Sequence, residues 1–308
     1  MDETAQVASD LPADHKIQCP GLKKSIKETK KTIGSRKKSG KRHKSGSDEK
    51  KEESCDFFRI FIKYIVFPER YAIITAENHS SNSDTTREVN MLIQNGDRIV
   101  FTGDSTTDAG RGRPVGEGLH AGVGDGYVRQ IENILNVIYP DWTLWISNTG
   151  NSGDTSRSLK ARWQNDVMNL KPDWVSVMIG INDIWRQFDS PGVLSSHVYL
   201  EEYRTNLCEM MERTLPVVKG VILMSPYYME PCREDRMRAM TDQYIRVCEE
   251  TAKKYNCHYV NTQAAFDEYL QYRHSSYISW DRVHPGHIGS LLLAREFIKA
   301  IGVDRSFL

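Results

Sequence analysis

Residues 98–105 read Arg-Ile-Val-Phe-Thr-Gly-Asp-Ser (RIVFTGDS). Arg98–Thr102 is a short apolar run closed by a glycine, the pattern of a strand buried on both faces. A second buried strand is predicted at Trp174–Ile179 (WVSVMI), ending at Gly180, and further strands at Trp142–Ser147 (WTLWIS), Gly220–Ser225 (GVILMS) and His258–Asn261. Between these runs the apolar residues fall at helical spacing, over Tyr127–Ile138, Ser156–Leu170 with Pro172 beyond its end, Tyr199–Thr214, Glu234–Tyr255 and Gln263–Gln271. A last helix is predicted over His287–Ile301. Strands alternating with helices predict a three-layer α/β/α sandwich around a central, mainly parallel sheet. In such sheets ligands bind beyond the carboxyl ends of the strands, so the residues that follow each strand are the candidates for chemistry.

The chain outside this pattern has a different character. The whole sequence of 308 residues balances 41 Lys+Arg against 41 Asp+Glu. Residues 1–90 nevertheless carry 18 basic and 14 acidic side chains, and residues 91–308 carry 23 and 27, so two unlike segments cancel. The first 54 or so residues are rich in Lys, Ser, Gly and Glu and have little apolar surface to offset the entropy of ordering, so they are expected to be disordered. Phe57–Ile74 is apolar and predicts a short amphipathic element; Glu77–Thr86 reads as a polar linker. The predicted organisation is a basic extension over 1–90 and a catalytic domain over 91–308, with Met91 able to serve as a start and the extension dispensable for catalysis.

Six cysteines include no C-x-x-C pair, and the first ten residues hold three acids and no apolar core of a signal peptide. A cytoplasmic protein with reduced thiols is therefore expected. No run approaches the roughly 18 apolar residues of a membrane span; Phe57–Phe67 is interrupted by Arg59 and Lys63.

Four blocks follow the strands or precede the last helix. Gly103-Asp104-Ser105 offers a nucleophilic hydroxyl on a tight turn, although Ser after Gly-Asp is also an ordinary turn or cap. Asn148–Thr155 (NTGNSGDT) has two glycines that allow close backbone approach to a ligand, and Asp154 or Thr155 can cap the next helix. Gly180–Asp183 (GIND) places an amide donor, Asn182, at a strand end. In Asp281–Pro285 (DRVHP) an Asp three residues before a His can reach Nδ1 and leave Nε2 as a general base. Each block alone reads first as an ordinary turn, cap or loop; together they supply nucleophile, base, orienting acid and oxyanion donors.

In this order GDSTTD, NTGNSGDT, GIND and DRVHP resemble the SGNH (GDSL-type) hydrolase family over essentially all of residues 91–308. The resemblance implies the flavodoxin-like fold of that family. It implies Ser105 as nucleophile, His284 as general base, Asp281 as its partner, and an oxyanion hole made of the amides of Ser105 and Gly153 with the side chain of Asn182. Within the family, GDSTTDAGRGRPVGEG, LKARWQNDV, KPDWVSVMIGINDIWRQFDSP, NTQAAF and SWDRVHP look like the bacterial intracellular acetylxylan esterases. That likeness implies an acetylated sugar or xylo-oligosaccharide as substrate; no cofactor or metal is expected. Homo-oligomerisation stays open. Trp185 and Trp280 are candidate walls for a sugar, or else packing residues. Arg111, Arg113 and Arg186 are expected near the mouth of the site.

Asp281, His284 and His287 form D-x-x-H-x-x-H, but Pro285 and Gly286 interrupt the helix that would align three metal ligands. Gly122-x-Gly124-x-Gly126 lacks the dinucleotide spacing and follows no strand. KKSGKRHK, at residues 37–44, is a patch of the kind that binds nucleic acid or anionic membrane by counterion release, though such runs are commonly just solvated and nucleic acid is not an expected partner of the enzyme. Within the enzyme class the alternative is a general short-chain carboxylesterase, or a lysophospholipase or thioesterase of the same family.

Overall fold

The structure is a computed structural model that describes residues 91–118, 120 and 122–303. The expectations for residues 1–90, including the boundary before Met91, lie outside the described residues.

Five strands form one sheet in the order β2–β1–β3–β4–β5: β1 Arg98–Gly103, β2 Trp145–Asn148, β3 Trp174–Met178, β4 Gly220–Met224 and β5 His258–Val260. Every neighbouring pair of strands is parallel, and an isolated antiparallel bridge joins Gly116 to Asn148 at the end of β2, as a mainly parallel sheet implies. Its apolar runs are continuous because both faces are covered. Ile99 and Phe101 of β1 join Met178, Ile222 and Met224 in one core, against Tyr127, Ile131 and Leu135 of α2 (Tyr127–Ile138) and Phe297 of α8 (His287–Ala300). Val100, Val175, Val177, Val221 and Leu223 point the other way, onto Leu159 and Trp163 of α3 (Ser156–Asp166), Leu207 and Met211 of α5 (Leu200–Thr214) and Val247 of α6 (Arg236–Lys254). Side chains alternate across a strand, so one apolar run supplies both layers. Trp163 is fully buried and donates Nε1–H to Thr214 Oγ1 at 3.0 Å, which satisfies its polar edge inside the core.

From β1 the chain moves to β2 on one side and then to β3 on the other. The crevice at the carboxyl ends of β1 and β3 is therefore the topological switch point, where such folds place their ligands. The two strands approach closely there: a Cβ added at Gly103 would lie 2.2 Å from the carbonyl oxygen of Met178.

The structure differs from the sequence reading at several edges. The helix expected to reach Leu170 ends at Asp166; Val167 breaks it, a 3-10 turn spans Met168–Leu170, and Lys171 before Pro172 takes a left-handed conformation. The residue before a proline is disfavoured in the helical region, so the last turn cannot continue. β2 starts at Trp145 because Trp142 instead stacks on Tyr139, with ring centroids 4.3 Å apart. Asn261, read as a strand residue, caps α7 (Thr262–Leu270) by accepting from Ala264 N at 3.0 Å. Two helices were not foreseen: α1, Ser105–Asp108, and α4, Ile181–Asp189.

Candidate active site

Ser105 is the first residue of α1, directly after β1. Asp104 caps this helix by accepting from Thr106 N at 2.9 Å, and Ala109 ends it in a left-handed conformation. The turn thus lifts the Ser105 hydroxyl out of the sheet end. Its Oγ lies 2.8 Å from His284 Nε2. His284 Nδ1 lies 2.5 Å from Asp281 Oδ2. The carboxylate is itself fixed, since Oδ1 accepts from the backbone amides of Val283 at 2.9 Å and His284 at 2.8 Å. With Nδ1–H given to Asp281, Nε2 is the nitrogen free to accept from Ser105. Partial burial raises the Asp281 pKa, but the bonds from His284 and Val283 outweigh it and hold the group below its ordinary value.

The segment after β2 runs beside α1. Gly150 packs against α1 rather than facing a ligand: a Cβ there would sit 2.4 Å from Asp108 N. Gly153, by contrast, has φ +86° and open space around its Cα. Ser152 is held by Asp108, whose Oδ2 accepts from its amide at 3.0 Å and its hydroxyl at 2.8 Å. Among the described residues, no backbone carbonyl or side chain pairs with the amides of Ser105 or Gly153. Thr155, not Asp154, caps α3 in a reciprocal box with Ser158.

Asn182 sits in the first turn of α4, buried, and gives one Nδ2 hydrogen to the carbonyl of Asp154 at 2.9 Å, while its Oδ1 accepts from Arg186 at 3.3 Å. An amide nitrogen carries two hydrogens, so one remains. Asp183 beside it is fully buried and accepts from Ser156 N at 2.9 Å and from Ser156 Oγ at 2.5 Å. Burial pushes its pKa up to about 7 despite these bonds. Asp104 is raised likewise, to about 6, chiefly by burial. Asp108 goes the other way: burial raises it, but Arg113 and Ser152 lower it further than that.

The structure brings Ser105, Asp281 and His284 together and sets Trp185 and Trp280 around the imidazole. Trp280 is 85 % exposed and lies parallel to the His284 ring, centroids 6.1 Å apart and planes 7° from each other. Trp185 meets the same ring by its edge at 5.9 Å and is otherwise half-buried against the core. Trp280 is thus not a packing residue, and Trp185 is partly one. Of the three arginines expected at the mouth, Arg113 is exposed and paired with Asp108, and Arg186 lies over the Trp185 ring at 4.8 Å. Arg111 does not belong there. It is 7 % exposed, and it donates to the carbonyls of Gly150, Gly112 and Pro114 at 2.6, 2.9 and 2.7 Å. Loop carbonyls with no ladder partner need such a donor once buried. Among the described residues no group of three or more His, Cys, Asp or Glu side chains is arranged to hold a metal ion, and His287 is exposed at the start of α8. Asp108, Ser152 and Arg162 lie within the quoted blocks GDSTTD, NTGNSGDT and LKARWQNDV, but their contacts with one another's segments join residues distant in the chain, which the blocks do not reveal.

A hydroxyl, an imidazole and a carboxylate in line at the switch point of a 2-1-3-4-5 parallel sheet mark the class of SGNH-type hydrolases. A profile of the GDSL-like lipase/acylhydrolase family matches residues 101–291, and the chain belongs to that family. It is 48% identical over 214 residues to an acetylxylan esterase of Geobacillus stearothermophilus, covering 70% of this chain and 98% of that protein. The crystal structure of that acetylxylan esterase, Axe2, superposes with a TM-score of 0.69 at the same identity and coverage. Its catalytic mutants with alanine in place of a serine, a histidine or an aspartate match equally well in fold, at a TM-score of 0.69 and 47% identity over 70% of this chain and 98% of theirs. LAE5, described as an alpha/beta hydrolase enzyme from the metagenome of Lake Arreo in Spain, gives 0.68 at 48% identity, over 69% of this chain and 98% of its own. Among the described residues no helix is long and apolar enough to cross a membrane.

Proposed function

We propose that this protein is a serine esterase that removes acetyl groups from acetylated carbohydrates, with acetylated xylo-oligosaccharides or acetylxylan as the substrate class. The observation that carries the reading is the aligned set of contacts from Ser105 through His284 to Asp281, at 2.8 and 2.5 Å. The acetylated sugar is supported by the likeness to the Geobacillus acetylxylan esterase and by the exposed Trp280 face beside His284, a surface on which a sugar ring can stack.

In this mechanism Ser105 Oγ attacks the acetyl carbonyl carbon and its proton passes to His284 Nε2. Asp281 remains ionised and stabilises the imidazolium. The carbonyl oxygen becomes an oxyanion and takes hydrogen bonds from Ser105 N, Gly153 N and the remaining Nδ2 hydrogen of Asn182. On collapse the bond to the sugar oxygen breaks, His284 returns the proton to that oxygen, and acetyl-Ser105 remains. Water, deprotonated by His284, repeats the sequence and releases acetate.

Cytoplasmic action accords with Cys208, Cys232, Cys248 and Cys257, none of which forms a disulfide. The catalytic unit is assigned to residues 91–308, with 1–90 as an appendage to it.

The test is acetate release from acetylated xylo-oligosaccharides by the wild type and by Ser105→Ala. Ser105→Ala should be folded and inactive. Near-wild-type turnover by that variant would refute the serine mechanism. Faster hydrolysis of octanoyl than of acetyl esters would favour the long-acyl alternative, since each buried CH₂ contributes about 0.8 kcal/mol in an apolar groove.

A further inference from the structure

Arg162 lies on α3, away from the four motif blocks, yet its guanidinium contacts both the end of β1 and the segment after β2. Nη2 donates to the carbonyl of Gly103, the last residue of β1 and two before Ser105, at 3.0 Å. Nη1 donates to the carbonyl of Thr149 at 2.7 Å, and Nε to Asp154 Oδ2 at 2.5 Å. Those two residues flank the segment that presents the Gly153 amide. Asp154 in turn accepts Asn182 Nδ2 through its own carbonyl at 2.9 Å. The side chain is 17% exposed and that of Asp154 only 7%, so these contacts are made largely out of water, where hydrogen bonds to charged groups are strongest. A further bond, Nη1 to Asp166 Oδ2 at 2.9 Å, runs to a more exposed carboxylate on the same helix.

The three oxyanion donors come from three separate segments: the nucleophile turn, the loop after β2 and the start of α4. Correct catalysis requires their mutual spacing, because a donor about 1 Å out of place can cost roughly 10²-fold in rate. Backbone bonding gives partial registration, as Asn151 N donates to the Gly103 carbonyl at 2.9 Å. Arg162 adds a planar fork that binds the first two segments directly and the third through Asp154. A lysine cannot reproduce this: it offers a point charge, able to pair with Asp154 but not to reach three acceptors in one plane.

We infer that Arg162 is a positioning residue for ester hydrolysis, setting the spacing of the oxyanion donors Ser105 N, Gly153 N and Asn182 Nδ2. The inference deepens the proposed function and rests on it. Acting through those donors, Arg162 should affect the transition state and leave ground-state binding nearly untouched.

The experiment measures kcat and KM for an acetyl ester with wild type, Arg162→Lys, Asp166→Ala, Asn182→Ala and the Arg162→Lys/Asn182→Ala double variant. Arg162→Lys avoids the buried, unpaired Asp154 that Arg162→Ala would leave. Expected for Arg162→Lys is a loss of about 10–100-fold in kcat with KM within about two-fold. In the Asn182→Ala background the same change should cost a smaller factor than in the wild type, because one of the three donors it positions is already gone. Asp166→Ala should stay within about two-fold of wild type in kcat, since Asp166 contacts none of the donors. Unchanged kcat in Arg162→Lys, a loss that multiplies fully with that of Asn182→Ala, or an equal loss in Asp166→Ala would each overturn the inference. A wild type that hydrolyses no acetyl ester would instead overturn the enzymatic reading itself.

Discussion

Asp281 grips His284 at two points: Oδ2 takes the side-chain Nδ1–H at 2.5 Å and Oδ1 takes the backbone N–H at 2.8 Å. One carboxylate therefore sets both the place of the residue and the orientation of its ring. An amide in its place would keep one acceptor for the backbone but could present NH₂ towards Nδ1. That would favour the tautomer with the proton on Nε2, where the serine must deliver its own. Asp281→Asn is expected to fold and to lose about 10⁴ in kcat. Steady-state kinetics on an acetyl ester, with circular dichroism as the folding control, checks it.

Asn182 is buried and its amide is oriented at both ends, by the Asp154 carbonyl and by Arg186. Asn182→Ala removes one of the three proposed oxyanion donors and should lower kcat by about 10²–10³ without abolishing it. Residual turnover that disappears on adding Ser105→Ala would show that the remaining rate still runs through the serine. Turnover of Asn182→Ala within a few-fold of wild type would remove Asn182 from the oxyanion hole.

The buried Asp183 gives a stability prediction with a definite sign. Its folded pKa, about 7, lies above the ordinary value of 3.8. Below pH ~4 both folded and unfolded forms are protonated, and no penalty applies. Between there and the folded pKa the native state binds more protons, so stability falls as pH rises, by at most about 1.4 kcal/mol per pH unit from this group. Asp183→Asn keeps the shape and an acceptor for Ser156 N while removing the titration. Urea midpoints should show the variant gaining on wild type from pH 4.5 to pH 7.5. A constant difference across that range would contradict the raised pKa.

Two glycines of the site should respond in opposite ways to alanine. At Gly103 a methyl would meet the Met178 carbonyl at 2.2 Å and Thr107 Oγ1 at 2.6 Å, so β1 and β3 would have to part. Gly103→Ala should cost at least about 3 kcal/mol, at the severe end of overpacking, and give little soluble protein. At Gly153 a methyl meets nothing within 4 Å, and only the φ of +86° opposes it. Gly153→Ala should cost about 1–2 kcal/mol. Denaturant unfolding separates the two; equal destabilisation would contradict the packing described.

Residues 91–308 should act alone. The family match runs from 101 to 291, so it lies wholly within that segment. A protein beginning at Met91 should have a kcat/KM within about two-fold of the full chain, as expected where the site and its supports lie on one cooperative unit. A folded but inactive truncated protein would contradict the assignment.

Much of this architecture could be read from local pattern. The strands declared themselves because each apolar run feeds two cores, and Ser105, Asn182, Asp281 and His284 stood out because each sits in a short block beside a strand end or before the last helix. Helix α4 is hard to read locally although Ile181, Ile184, Trp185 and Phe188 carry helical spacing, since GIND also has the pattern of a strand end and nine residues give little periodicity to count. Arg111 misled for a different reason. A charged side chain is ordinarily exposed, and only the folded loop shows the carbonyls that take it inside.

The amino-acid sequence by itself determined the layers, the alternation of the main strands and helices and the candidates for chemistry, because periodicity and neighbouring motif residues are local properties. Tertiary structure alone decided how those groups meet. Ser105 and His284 are 179 residues apart in the chain and 2.8 Å apart in the fold, and Arg162 reaches acceptors 8, 13 and 59 residues away through one planar group. Contacts of that kind leave no periodic trace, since what selects each residue is a place in space that the parallel crossovers create.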